Sequence, residues 1–335
     1  MIARGVTPCI ARAEGCVFGG IAAREPARAR AMLDELGIDG AMAYTYDELL
    51  HADDIDAVYV TLPNHLHCQW TCRFLRAGKH VLCEKPWCGT REEAQRMKVA
   101  AEESGRLVAE AFMYMHHPQT DALIDLATNP DSPTGAIKAV HSAFCVHQTH
   151  EPTIRTRMSH ACHGGSIMDL GCYSLSFVSL IAGHDAMEIE FVDMTLGEPL
   201  EGETQAVDDD MIVRGSIKTQ GIDAGFIAES SFRDARGVHV TLVGEHAVAR
   251  TGWPWAPPHD RAEIAITAHN GEPIDTLVFE DAGEKFQLQF ESFARALRDN
   301  GAPMRPDAAW SVAQAELIER VRQMGGMHRF GAPKT

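Results

Sequence analysis

Positive charge is scarce in this sequence. Its 335 residues include 30 Lys and Arg against 47 Asp and Glu, which gives a formal net charge of −17 at pH 7. Proteins that bind nucleic acid neutralise phosphates with Lys and Arg, so we expect no nucleic-acid partner. The same acidity does not exclude an anionic cofactor, because such a cofactor needs only a local positive site.

Long apolar runs are also missing. The sequence has no stretch of about 18 apolar residues, the length that a membrane-spanning helix needs. Its first residues, MIARGVTPCIARAEGC, contain no apolar core of a secretion signal. The nine cysteines are scattered, and Cys68 and Cys72 share a helix face without partners at zinc-finger spacing. We therefore predict no membrane partner, a cytoplasmic location and free thiols.

Strand-like and helix-like segments alternate through the first third of the chain. Apolar runs predict strands, and segments of helix formers bounded by Thr90, Gly37, Gly78 and Gly105 predict the helices between them. The predicted strands are 16–22, 56–62, 79–86 and 106–114, and the predicted helices are 24–37, 46–50, 65–78 and 90–105. This rhythm predicts an α/β domain with a doubly wound parallel sheet, whose ligands bind at the carboxyl ends of the strands.

The rhythm changes from Gly135 onward. Six strand-like runs follow, interrupted by one helix at about Ser166–Ala182, and two amphipathic helices end the chain. The strand-like runs are 136–146, 187–196, 209–219, 223–232, 238–245 and 246–251. Consecutive strands predict an antiparallel or mixed sheet, so the second part is α+β. We predict a boundary near residue 116, which separates domains 1–116 and 117–335.

Polar residues follow two of the predicted parallel strands. Pro63 and Asn64 follow one strand, and Glu84 and Lys85 end the next. A lysine at that position projects into the crevice where ligands bind, and its ammonium is a strong local charge. The alternative is an ordinary lysine in solvent at the end of a strand.

A second group lies in the segment HGGSIMDLGCYSLSF. Asp169 and Tyr173 are four residues apart, so a helix places them on the same face. A carboxylate beside a phenol orients both the phenol and a substrate hydroxyl. The alternative is a helix with a partly buried tyrosine and an aspartate near its first turn.

Four segments together resemble one protein family. EKPW after an apolar strand, TLPNHLH before it, and AEAFMYMHHPQ and GGSIMDLGCY after it resemble the Gfo/Idh/MocA oxidoreductases. The nearest branch resembles the NADP-dependent D-xylose and trans-dihydrodiol dehydrogenases. This resemblance implies a nicotinamide dinucleotide on a Rossmann-like first domain. It also implies a large open sheet in the second domain, through which such proteins often form homo-oligomers.

The resemblance also implies roles for the polar groups. Lys85 is expected to hydrogen-bond the reacting hydroxyl, Tyr173 to donate and accept the proton, and Asp169 to orient the substrate. A nearby ammonium is expected to lower the pKa of the tyrosine from about 10 toward working pH. The "IR" segment makes Arg155 a candidate substrate contact. The expected cofactor contacts are Arg24, Pro63, Asn64, His67, Glu84 and Lys85.

The end of the first predicted strand bears on which cofactor is used. An acidic residue there would hydrogen-bond the ribose 2′-hydroxyl of NAD, but the sequence has Ala22, Ala23 and Arg24. An arginine binds a 2′-phosphate, so NADP is favoured and NAD remains possible. The alternative is that Arg24 only begins a helix.

Histidines are numerous, and we predict no metal site among them. His147, His150, His160 and His163 crowd the loop before Asp169. Their spacing matches no HExxH-type motif.

The glycine-rich loop of the family has no counterpart here, since Met1–Arg4 align with the end of that motif. Either the start codon lies upstream, or the chain is a paralogue that no longer holds the cofactor and serves as a sugar-binding or regulatory protein. Lys85, Asp169 and Tyr173 together favour an enzyme. We therefore predict hydride transfer between a nicotinamide cofactor and a hydroxyl or carbonyl group of a sugar or cyclic diol.

Overall fold

Five short strands and five helices alternate at the start of the computed structural model, which describes residues 2–148, 155–219, 222–299, 302–327 and 330. Every strand pair in this part is parallel, as the sequence predicts. The strands are β1 Gly20–Ala22, β2 Met42–Tyr44, β3 Ala57–Val60, β4 His80–Glu84 and β5 Val108–Ala111. The helices are α1 Ile2–Arg12, α2 Pro26–Leu36, α3 Tyr46–Leu50, α4 Asn64–Arg76 and α5 Arg91–Ser104.

Local signals set the ends of these helices. Thr45 caps α3 by accepting the amide of Glu48, whose carboxylate accepts the Thr45 amide in return. Thr90 caps α5 by accepting the amide of Glu93. Gly37 and Gly105 end α2 and α5 in the left-handed conformation, which glycine adopts without steric cost. The helix boundaries follow from the sequence for this reason.

The five strands form two sheets. β1 pairs with β2, and the other sheet has the order β3-β4-β5. A cavity of about 690 Å³ separates β1 from β3. β2, with only three residues, is not predicted from the sequence.

One eight-stranded sheet dominates the second part of the chain. Its order is β13-β12-β11-β10-β6-β9-β8-β7, and every pair is antiparallel except β6–β9. Its strands are β6 Ile137–Cys145, β7 Met187–Leu196, β8 Asp208–Thr219, β9 Ile222–Ser231, β10 Gly237–Gly244, β11 Val248–Gly252, β12 Arg261–Thr267 and β13 Pro273–Glu280. This confirms the predicted open, mostly antiparallel sheet, although β12 and β13 are not among the predicted strands.

Helices cover one face of this sheet. α6 Pro118–Thr128 and α7 Cys172–Ala182 contribute buried residues to a core shared with the inner strands. A π-helical turn, Ile167–Gly171, leads directly into α7. The helix predicted over 166–182 is therefore present, with its first turn wider than an α-helix.

The last two helices return to the parallel strands. Phe290 and Phe293 of α8 Lys285–Arg298 pack in one core with Val6 of α1 and Leu82 of β4. α9 Ala308–Met324 lies against α5 and places Ala315 in the core of the parallel strands. Residues from both ends of the chain thus enclose these strands, and the boundary near residue 116 stays a prediction.

Within the described residues, no helix is both long enough and apolar enough to span a membrane.

Candidate active site

Lys85 lies directly after the carboxyl end of β4. Its Nζ donates to Oδ1 of Asp169 at 3.0 Å and to the backbone oxygen of Asp169 at 2.8 Å. The side chains are 13% and 15% exposed, so the pair is largely withdrawn from water. Two residues that are far apart in sequence thus meet at the edge of the parallel sheet.

Buried hydrogen bonds fix the turn that carries Lys85. The carboxylate of Glu84 points inward, where it accepts the Tyr59 hydroxyl and the Lys85 amide. Trp87, after Pro86, donates its amide to Oε1 of the buried Glu110 at 2.8 Å. Glu84 is therefore a support of this turn, and the turn aims Lys85 at Asp169.

A buried carboxylate fixes the start of the π-helical turn that carries Asp169. Asp208 accepts the Ser166 hydroxyl at 2.6 Å and the Ile167 amide at 2.7 Å. A Cβ at Gly165 would collide with Asp208, and Gly165 has a φ of +117°, so glycine is required there. This anchoring decides where Asp169 stands.

Tyr173 lies one turn after Asp169 and is 4% exposed. Its hydroxyl donates to Sδ of Met113 at 3.4 Å, and its ring centroid is 4.9 Å from Nζ of Lys85. Aromatic rings surround it: Phe112, Tyr114, Phe144 and Trp255. Lys85, Asp169 and Tyr173 are thus brought together, as the sequence predicts.

The Lys85–Asp169 pair is charged at neutral pH. Burial is the largest single influence and would lower the pKa of Lys85, but Asp169, together with smaller contributions from Tyr173, Cys172 and Glu84, outweighs it and the pKa is raised. Burial would raise the pKa of Asp169, but Lys85 and then Arg157 hold it below the ordinary value. Each partner therefore keeps the other ionised.

The expectation for the pKa of Tyr173 is wrong for the ligand-free protein. Burial raises this pKa above its ordinary value of 10.0, and the lowering by Lys85 is smaller. The aromatic surroundings explain the difference, because they remove the water that would stabilise a phenolate. Tyr173 is therefore protonated and holds a proton to donate.

Arg157 contacts the site. Both Arg155 and Arg157 are exposed, and Nη1 of Arg157 lies 3.3 Å from Oδ2 of Asp169, whereas the Arg155 contact with substrate stays a prediction. Sequence reasoning missed Arg157, although it stands only two residues further along in the same RTR segment. The local sequence pattern does not reveal which of the two arginines contacts Asp169.

The predicted cofactor contacts gather at the carboxyl ends of the strands. Pro63 precedes α4, and the side-chain amide of Asn64 donates to the backbone oxygen of His163 at 2.9 Å. Burial lowers the pKa of His65 on α4, and the guanidinium of Arg24 lowers it further. Arg24 itself is exposed. It precedes Glu25, the N-cap residue of α2, which makes no side-chain capping hydrogen bond.

These positions fit the two ends of a nicotinamide dinucleotide. Arg24 offers a positive charge at the end of β1, and Lys85 offers another at the end of β4. Residues 2–112 contain no Gly-x-Gly-x-x-Gly segment.

His67 does not line the crevice. It is completely buried, with Nδ1 2.9 Å from the Pro86 oxygen and Nε2 2.7 Å from the Leu62 oxygen. Burial lowers its pKa to about 4, so the ring is neutral and donates to one of the two oxygens. His67 is therefore a positioning residue rather than a direct cofactor contact. It connects the end of β3 to the turn after Lys85.

No metal-binding group of three His, Cys, Asp or Glu side chains occurs among the described residues. His147 faces the Arg233 oxygen, and the ring of His163 stacks on Phe330 with 4.3 Å between centroids. His150 lies outside the described residues.

Glu110 makes the stability of this site depend on pH. Burial raises its pKa from 4.5 to about 8. The folded state then holds a proton that the unfolded state has lost, so the free energy of unfolding falls as pH rises from 4.5 to about 8. We expect Glu110→Gln, which keeps the acceptor for Trp87, to flatten this fall in urea unfolding measured between about pH 5 and about pH 8.

The exposed Glu103 on α5 provides the matched control. Glu103→Gln should leave the slope of stability against pH as it is in the wild type. An identical slope for wild type and Glu110→Gln would show that Glu110 does not cause the dependence.

Comparisons with known proteins identify the family. Residues 4–112 match the profile of the oxidoreductase family with an NAD-binding Rossmann fold. Over 319 residues the chain is 31% identical to a dTDP-3,4-didehydro-2,6-dideoxy-alpha-D-glucose 3-reductase of Actinomadura kijaniata, covering 90% of this chain and 86% of that protein. The chain belongs to the Gfo/Idh/MocA oxidoreductases. The predicted family and enzyme class, a nicotinamide-dependent oxidoreductase, are confirmed.

Two further comparisons bear on the cofactor and substrate. A crystal structure of a 3-ketoreductase from Actinomadura kijaniata, in complex with NADP and TDP-benzene, superposes with a TM-score of 0.81 at 28% identity and covers 95% of this chain and 92% of that one. A D-xylose 1-dehydrogenase (NADP(+)) of Haloferax volcanii is 40% identical over 163 residues, 49% of each chain. Both proteins are named with NADP, in agreement with the predicted cofactor.

Proposed function

We propose that this enzyme uses NADP(H) to interconvert a carbonyl and a hydroxyl group of a sugar or sugar derivative. One observation carries the proposal: Lys85, Asp169 and Tyr173 meet at the carboxyl edge of the parallel strands. Relatives over most of the chain reduce nucleotide-linked sugars, and a relative over half of it oxidises D-xylose. The nicotinamide supplies or accepts the hydride when it is bound.

Lys85 holds the substrate oxygen in this proposal. An ammonium has three donors, and Asp169 accepts two of them. The third is directed to the carbonyl oxygen, where it stabilises the negative charge that develops in the transition state. Asp169 keeps Lys85 charged and oriented.

Tyr173 supplies the proton. Its raised pKa keeps the hydroxyl protonated in the free enzyme, and the new alkoxide takes that proton. The substrate must displace the weak contact with the Met113 sulfur to reach the hydroxyl. Lys85, which already lies over the ring, then stabilises the phenolate.

Arg24 sets the cofactor preference in this proposal. We expect the wild type to turn over a panel of aldoses and keto-sugars faster with NADPH than with NADH, because Arg24 binds the 2′-phosphate. Arg24→Asp should cut the ratio of kcat/KM values by about 10-fold or more, since one charge-assisted contact is worth about 1.5–3 kcal/mol. Nicotinamide absorbance during turnover measures the ratio.

Arg30, exposed on the following helix α2, is the control. Arg30→Asp changes the net charge equally and should leave the ratio unaltered. If no sugar is turned over with either cofactor while sugars still bind, the chain is not a sugar oxidoreductase.

We also propose that the enzyme is a cytoplasmic homo-oligomer that associates through its eight-stranded sheet. Large apolar side chains are exposed on its outer strands, among them Phe191 at 50% and Ile274 at 56%. Such exposed apolar residues favour a protein partner. All nine cysteines are free thiols, which favours a reducing compartment.

A further inference from the structure

Arg157 stands beside the groups that are proposed to react, and its guanidinium also reaches solvent. Nη1 of Arg157 lies 3.3 Å from Oδ2 of Asp169, and the arginine side chain is 43% exposed. Nζ of Lys85 donates to the other oxygen of the same carboxylate at 3.0 Å. The two cations therefore contact opposite oxygens of one carboxylate, so both stand within the span of one sugar ring and its substituents.

The contact with Asp169 leaves most of the guanidinium available for a ligand. A guanidinium has five N–H donors in a planar fork. Among the residues that the structure describes, the side chain of Arg157 makes this one ion pair. Such a fork binds a carboxylate through two parallel hydrogen bonds. The exposed side of Arg157 is therefore suited to an oxyanion that enters the site from solvent.

The backbone of the turn that carries Arg157 is fixed. Its carbonyl oxygen accepts the Gly165 amide at 2.7 Å, and a Cβ at Gly164 would collide with the same oxygen. The next residue, Met158, is buried in a small apolar cluster with Leu170. Because this backbone is already ordered, an anion that binds Arg157 does not have to order the turn, and less affinity is lost.

Positive charge is concentrated here, although the protein as a whole is acidic. Residues 155–163, RTRMSHACH, contain two arginines and two histidines and no acidic residue, in a chain with a formal net charge of −17. Lys85 adds one positive charge to this group and Asp169 removes one. The site therefore has an excess of positive charge at the position of Arg157.

Three other carboxyl groups near the site do not cancel this excess. Glu84 and Glu110 are buried, and burial raises the pKa of each, to about 8 for Glu110. Both therefore hold a proton more readily than an exposed carboxylate does. Glu203 is bound to the backbone amide of His160 and to the Ser159 hydroxyl. An anionic group of a substrate is thus attracted to Arg157.

We propose that Arg157 is the anchor for the carboxylate of a sugar acid, so that the substrate carries its reacting carbonyl or hydroxyl group and a carboxylate on one monosaccharide. This inference rests on the proposed function, in which Lys85 binds the reacting oxygen. A carboxylate fits better than a phosphate, because a phosphate brings up to two negative charges to a site with one cation in excess.

Matched pairs of sugars test the anchor: D-glucuronate against D-glucose, and D-galacturonate against D-galactose, each with NADP(H). We expect kcat/KM of the wild type to be about 10-fold or more higher for the acid of each pair, because a charge-assisted hydrogen bond is lost in the neutral sugar. Added NaCl should reduce this advantage, since Arg157 is partly exposed. Calorimetric titration of the same sugars measures binding independently of turnover.

Arg157→Gln should lower the ratio of acid to neutral sugar by about 10-fold, both in kcat/KM and in affinity. Because Arg157 also contacts Asp169, this variant can slow the reaction of every sugar. A merely structural role would slow both members of a pair equally and leave the ratio unchanged. Arg157→Lys, which keeps the charge without the fork, should retain part of the ratio. Arg76→Gln, exposed at the far end of α4 from Asn64, should retain all of it.

Equal ratios in the wild type and in Arg157→Gln would overturn the proposal. A preference for D-glucose 6-phosphate over D-glucuronate would also overturn it, since the anchor would then be a phosphate site. The proposed function is tested separately. If the acids bind through Arg157 and no sugar is turned over, the anchor stands and the oxidoreductase function fails. If neutral sugars are turned over as fast as the acids, the function stands and the anchor fails.

Discussion

Tyr173→Phe should lower kcat by about 10²–10⁴-fold, the usual worth of a positioned proton donor. The ring and its aromatic neighbours remain, and only the contact with the Met113 sulfur is lost. The melting temperature should therefore change little. Steady-state rates of carbonyl reduction with NADPH, together with thermal unfolding, measure both effects.

Tyr114→Phe is the matched control for this variant. Tyr114 is equally buried, and its hydroxyl is 2.6 Å from the Ser176 hydroxyl rather than beside Met113. Its removal should reduce stability, because it leaves Ser176 with one partner fewer, and should keep kcat. Near-normal turnover in Tyr173→Phe would assign the proton to another group.

Lys85→Met should lower kcat by about 10²–10³-fold, because the developing oxyanion loses its charged donor. It should also destabilise the fold by about 3–5 kcal/mol, since Asp169 is then a buried carboxylate without its main partner. The pKa of Asp169 should rise as Lys85 is removed. Stability lost in the variant should therefore be partly regained as pH falls below neutrality and Asp169 takes up a proton.

Lys79→Met is the matched control for Lys85→Met, because it removes a buried lysine that lies outside the proposed active site. Lys79 is 7% exposed, and its Nζ donates to the backbone oxygens of Ala52 and Ile55. This variant should unfold more easily and keep its kcat. A Lys85→Met enzyme with unchanged kcat would remove Lys85 from the reaction, and equal losses of kcat in both variants would make the effect structural.

Much of the site could be predicted because its residues are placed by strand ends and helix periodicity. Lys85 stands between the end of a largely buried strand and a proline. Asp169 and Tyr173 are four residues apart on one helical segment. These features are local, so the sequence shows them directly. Their meeting could be expected because ligands bind where parallel strands end.

The errors concern groups whose surroundings come from distant parts of the chain. The pKa of Tyr173 is raised by burial among aromatic rings from three other segments. His67 resembles a cofactor contact in sequence, yet carbonyl groups from two loops enclose it. The local sequence does not distinguish Arg157 from Arg155, because the contact between Arg157 and Asp169 forms only in the folded chain.

The sequence by itself determined the alternation of strands and helices, the helix ends at Thr90, Gly37 and Gly105, and the residues that stand at the strand ends. All of these depend on neighbours within a few residues. Only the tertiary structure decided the cleft between β1 and β3, the return of α8 and α9 to the parallel strands, and the charge states of Lys85, Asp169 and Tyr173. Strand pairing, packing and desolvation join residues far apart in the chain, so no local pattern encodes them.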